Sequence, residues 1–116
     1  MMKQFFKVDL LPKAAEFLEN LDEKTREKVY YNIRKSQFIQ DSELFTKLND
    51  NIWEFRTLYN NKSYRLFAFW DETEEQRVLV VATHGILKKT QRTPQNEIGK
   101  AEEIRKQYIN NKNNKK

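Results

Sequence analysis

The chain has no cysteine, one histidine, two glycines and two prolines among its 116 residues. Without cysteine there are no disulfides, no thiolate metal ligands and no thiol nucleophile, and with one histidine a zinc site is not expected. No run approaches the roughly 18 apolar residues of a membrane span. The opening Met1-Met2-Lys3-Gln4-Phe5-Phe6 lacks the apolar stretch of a secretory leader. A cytoplasmic chain without membrane contact, cofactor or metal is the expectation, and any chemistry must come from Lys, Arg, Glu, Tyr, Thr or His84.

What is abundant is charge and aromatic mass. Charged residues make up 34%, so the core must lean on eight Phe, five Tyr and two Trp, enough for a single domain of modest core at this length. The net charge of +5 is uneven. Residues 1–82 hold 13 Lys and Arg against 14 Asp and Glu, whereas residues 83–116 hold 9 against 3. Such a basic C-terminal third suits contact with a polyanion, and equally a solubilising surface.

The pattern predicts β-α-α-β-β-β-α. Lys3–Val8 reads as a short strand, and Pro12 opens a helix to about Asn20. Asp22 is a cap for a second helix to about Gln37, with Val29, Tyr30 and Ile33 on one face. Residues 39–51 read as a connection anchored by Leu44, Phe45 and Leu48. Strands over Ile52–Tyr59 and Ser63–Asp71 are joined by a polar Asn60-Asn61-Lys62 link. After the acidic turn Asp71–Glu75, the apolar run Val78–Ala82 reads as a central buried strand. Thr93 as N-cap and Pro94 at the first helical position open a last helix to about Tyr108. The fold class is α+β, a mainly antiparallel sheet with an N-terminal helical hairpin, forming one domain over residues 1–109 with a disordered Asn/Lys-rich tail at 110–116.

Strand alternation selects the charges that can meet. If Trp53, Phe55 and Tyr59 share one face, Glu54 and Arg56 share the other. Arg65, beside Phe67 and Phe69, is then the polar exception on an aromatic face. It either covers the core edge with its stem and pairs with Glu54, or converges with Glu54, Arg56 and the Lys88-Lys89 loop on a basic groove. His84, Gly85, Lys88, Lys89, Thr90, Gln91 and Arg92 lie between the central strand and the last helix. Proton-transfer candidates are His84, Glu54 and a lysine whose pKa is lowered by cationic neighbours. His84 is equally a satisfied histidine at a strand end, and the cationic loop equally a solvated one.

The set Trp53-Glu54-Phe55-Arg56, Tyr64-Arg65-Leu66-Phe67, His84-Gly85, Lys88-Lys89-Thr90-Gln91 and Thr93-Pro94-Gln95-Asn96-Glu97-Ile98 resembles the phage-derived, HigB-like branch of the RelE/ParE toxin superfamily, over residues 1–108. The resemblance implies a compact RelE-like microbial RNase fold. It further implies a type II toxin that cuts mRNA on the ribosome by metal-independent attack of the 2′-hydroxyl, silenced by a cognate antitoxin of helix-turn-helix type. By the same resemblance Arg65 takes the place of a phosphate-gripping arginine and Arg56 that of a strand lysine. Lys88 or Lys89 stands for the basic residue after the central strand. From the residues themselves, Thr90 and Gln91 are expected to hydrogen-bond RNA or cap the turn, and Arg92 to contact RNA. Two positions depart from RelE: Glu54 stands where RelE has a lysine, and the last helix lacks the tyrosine near its start. A ParE-like inhibitor of DNA gyrase and a non-catalytic basic interaction module are the alternative functions.

Overall fold

A computed structural model describes residues 3–72, 79–88 and 92–114. Strand β1 (Lys7–Leu10) leads into helices α1 (Pro12–Glu19) and α2 (Glu23–Phe38). Strands β2 (Phe45–Lys47), β3 (Trp53–Tyr59), β4 (Lys62–Asp71) and β5 (Leu79–Lys88) follow, and helix α3 (Gln95–Asn114) closes the chain. The sheet order is β1-β5-β4-β3-β2. Only β1 and β5 pair in parallel; the other neighbours are antiparallel. This is the α+β order expected from the sequence, with one three-residue strand, β2, inside the segment read as a connection.

Local chemistry explains most boundaries. Pro12 begins α1 where its missing N–H costs no helical bond, and the Asp22 carboxylate caps α2 by accepting from the Thr25 N–H at 3.1 Å and the Thr25 hydroxyl at 2.6 Å. Asn60 and Asn61 take φ of 52° and 61°, the left-handed pair that a two-residue hairpin loop requires. β1 starts later than Lys3 because Phe6 is drawn into the core and the Phe5 N–H donates to the Gln37 carbonyl at 2.7 Å. On α2 the buried face is Thr25, Val29, Asn32, Ile33 and Ser36, while Tyr30 points outward. The Asn/Lys-rich residues 110–116 are expected to be disordered, yet residues 110–114 continue α3, where Lys112 Nζ donates to the buried Asp71 carboxylate at 2.6 Å, and residues 115 and 116 lie outside the described residues.

Two cores lie on opposite faces of the sheet. Under α1 and α2, Leu18, Val29 and Ile33 pack on Phe6, Phe55, Tyr64, Leu66, Val80 and Ala82. Under α3, Ile98 and Ala101 pack on Ile52, Phe67, Phe69 and Val81. α1 approaches β5 so closely that a Cβ on Gly85 would lie 2.3 Å from the Phe17 ring, so a side chain there has no room. Among the described residues, no helix is long and apolar enough to cross a membrane.

Candidate functional site

The decisive feature is a β-bulge. Phe67 pairs with His84 and Ala68 with Ala82, which leaves Thr83 as the extra residue of β5. Before it, Val80 and Ala82 face α1; after it, His84 stacks on Phe67 at 4.9 Å and Ile86 packs into the α3-side core. The inserted residue therefore reverses parity and turns the final residue of β5, Lys88, toward the face that carries Arg56 and Arg65. Without it, strand alternation would have sent Lys88 to the opposite face.

Arg56 and Arg65 are direct cross-strand partners, and Ser63 pairs with Lys88. Like charges opposite one another repel, and Glu54 offsets this. Its carboxylate, 1% exposed, accepts from Arg65 Nη1 at 2.8 Å and from the Thr93 hydroxyl at 3.1 Å, while Arg65 Nε donates to Ser63 Oγ at 2.9 Å. Arg65 is thereby fixed in one orientation. Burial pushes its pKa down, with Arg56 adding to the effect and Glu54 opposing it. Lys88, 6% exposed, has its pKa lowered chiefly by burial and next by the Arg65 charge. Its Nζ donates to Thr93 Oγ1 at 3.4 Å.

Arg56, Arg65 and Lys88 all border one groove of about 780 Å³ along the outer edge of β3. Its opposite wall is α2, contributing Lys28, Asn32 and Lys35, with Asp41 and Glu43 at one end. The α2 residues escaped the sequence reading, although Lys28, Asn32 and Lys35 stand at i, i+4 and i+7, the spacing of one helical stripe.

The other expected residues fall elsewhere. His84 is 3% exposed under α3, with Thr83 Oγ1 3.0 Å from Nδ1 and Glu97 Oε2 3.2 Å from Nε2, and it does not line the groove. Burial depresses its pKa, against the opposing pull of Glu97. Arg92 is exposed between β5 and α3. Thr93, expected to cap α3, instead spends its hydroxyl on Glu54, and the Pro94 carbonyl accepts from the Glu97 N–H at 3.1 Å and the Ile98 N–H at 3.4 Å. Lys89, Thr90 and Gln91, and the turn residues 73–75, lie outside the described residues. Among the described residues, no three His, Cys, Asp or Glu side chains assemble as a metal site.

Fold and groove together define a small α+β domain with a RelE-like order of elements and cations from three adjacent strands gathered on one side of the sheet. Residues 16–106 match the family described as Phage derived protein Gp49-like (DUF891), and the chain belongs to that family. No curated protein matches it.

Proposed function

We propose that this protein is the toxin of a type II toxin–antitoxin pair in the HigB-like branch of the RelE/ParE superfamily, an endoribonuclease that cuts mRNA on the ribosome. The observation that carries the reading is the grouping of Arg56, Arg65 and Lys88 on one groove, with Arg65 locked by Glu54 and Ser63. In the reaction the 2′-oxygen bonds to the adjacent phosphorus as the bond to the 5′-oxygen breaks. A proton leaves the 2′-hydroxyl and another reaches the departing 5′-oxygen, giving a cyclic phosphate and a free 5′-hydroxyl. Arg56 and Arg65 hold the phosphate oxygens as charge builds there. Lys88 carries proton transfer, because its lowered pKa makes it a readier acid when charged and a more available base when neutral.

Glu54 acts through Arg65, since both of its oxygens are occupied by protein donors, and His84 acts as a buried brace between β5 and α3. Lys89, Thr90, Gln91 and Arg92 contribute further contacts to RNA. A cognate antitoxin of helix-turn-helix type neutralises the toxin.

Induced expression in bacteria tests the assignment. Translation arrest with cuts in translated mRNA, and little cutting of the same mRNA without ribosomes, is the expected result. Loss of DNA supercoiling with intact mRNA would replace it with gyrase inhibition. Rapid cleavage of free RNA would remove the ribosome from the account.

A further inference from the structure

Beside the groove, β3 has an unfinished edge. β2 pairs with Trp53, Glu54 and Phe55 only, and the last bond across this edge runs from the Arg56 N–H to the Leu44 carbonyl at 2.8 Å. There the chain turns away, because the Leu44 N–H donates to the Asp41 carbonyl at 3.0 Å instead of returning to β3. In an antiparallel strand the groups aimed at one neighbour alternate by residue, so Leu58, like Arg56, directs its N–H and C=O away from β4. Among the described residues no backbone bond meets those groups across the edge, and the Leu58 side chain is 73% exposed. Such an edge is a template for one more strand.

The charges around this edge specify the strand. Lys28 and Lys35 lie on the α2 side, and Arg56, Arg65 and Lys88 on the other, all on the same groove. We propose that this edge receives an extended acidic segment of a protein partner, which adds as a strand in line with β2 and lays alternate carboxylates toward the two cationic walls. A peptide backbone offers both the donor and the acceptor that Leu58 needs, whereas a phosphate offers only acceptors. The exposed Leu58 side chain supplies an apolar contact between the charges. Occupied in this way, the groove is closed to other polyanions. The regulatory meaning rests on the toxin reading above, but the edge and its partner do not depend on nuclease activity.

The test uses the isotopically labelled full chain and an end-capped octapeptide of two Glu-Glu-Val-Val repeats, which puts carboxylates on both faces of the added strand, followed through backbone amide resonances. The amides of residues 56–60 are expected to shift. Complete N-methylation of the peptide backbone, or Leu58→Pro, should each weaken binding at least about tenfold. Proline is suited to this position because the N–H it removes makes no backbone bond among the described residues. Lys28→Glu/Lys35→Glu should weaken binding by a similar factor at low salt. No response in residues 56–60 up to about 1 mM peptide overturns the proposal, and so does undiminished binding of the N-methylated peptide, which also decides the matter if Leu58→Pro fails to fold. Oligouridylate that shifts the same amides with the same dependence on Leu58→Pro would make RNA the occupant. Leu58→Pro should still cut translated mRNA. Loss of peptide binding with cleavage retained isolates this proposal from the nuclease reading.

Discussion

Arg65→Ala is the obvious test of the groove, and the structure makes it a test of stability as well. The substitution leaves Glu54, 1% exposed, without its cationic partner at 2.8 Å. Breaking a buried ion pair from one side costs about 3–5 kcal/mol. The Thr93 hydroxyl stays on Glu54 at 3.1 Å, and the groove beside Arg65 admits water, so the lower end, about 3 kcal/mol, applies. For a chain of this size that is a fall in Tm of about 12 °C, at about 4 °C per kcal/mol. Removing both charges, as in Glu54→Gln/Arg65→Met, should recover all but about 1 kcal/mol, because no buried charge is then left alone.

Urea unfolding of the wild type, Glu54→Gln, Arg65→Met and Glu54→Gln/Arg65→Met gives the coupling energy directly. A coupling under about 0.5 kcal/mol would refute the buried-pair argument, since it would show Glu54 reaching water at no cost. Activity is then compared at a temperature where every variant is folded. There Arg65→Ala should still lose about 10²–10³ in cleavage rate if Arg65 holds charge in the transition state, and Arg65→Lys should recover stability more fully than rate.

His84→Gln should lower stability by about 1–3 kcal/mol through two lost hydrogen-bond partners and the lost stack on Phe67, while the cleavage rate at a temperature where the variant is folded stays near that of wild type; a collapse in rate without unfolding would return His84 to the chemistry. Because the pKa of His84 is depressed in the folded state, its contribution to stability is complete above about pH 6.5, and is lost as pH falls through the lower folded value, which the single histidine resonance can follow by NMR. The pKa of Tyr108, raised to about 12 chiefly by burial and by its hydroxyl bond to Asp71, should appear as a late transition in ultraviolet titration. Stability from that group is full below about pH 10 and lost as pH rises toward 12, and Tyr108→Phe should remove the late transition and cost about 1 kcal/mol. Gly85→Ala should cost about 1–3 kcal/mol in urea unfolding, since the new methyl meets the Phe17 ring; an unchanged midpoint would show that α1 can move off β5.

Much of the fold was legible because its signals are local. Pro12 and Asp22 mark the starts of α1 and α2, Asn60-Asn61 supplies left-handed backbone for the hairpin, and the alternation of β3 and β4 sorts Trp53 and Phe55 from Glu54 and Arg56. Each depends on the residue itself or its nearest neighbours. The short β2 was not legible, since three residues carry no period, and its pairing is decided by Trp53, Glu54 and Phe55 across the edge. The first strand was misplaced for the same reason: its register is set by its parallel neighbour β5.

The site divides along the same line. The sequence by itself determined that Glu54 and Arg56 lie on one side of β3, because a strand's period of two admits no other arrangement, and it left open whether Arg65 joins them, which the pairing of Arg56 with Arg65 decides. It could not determine that Lys88 joins them, since that depends on Thr83 being the unpaired residue of a bulge, a choice made by packing His84 on Phe67 and under Glu97. Nor could it show that Lys28 and Lys35 form the facing wall, or that Thr93 turns from helix capping to Glu54. Those contacts join residues distant in the chain, and only the closing of two helical layers over the sheet brings them within reach.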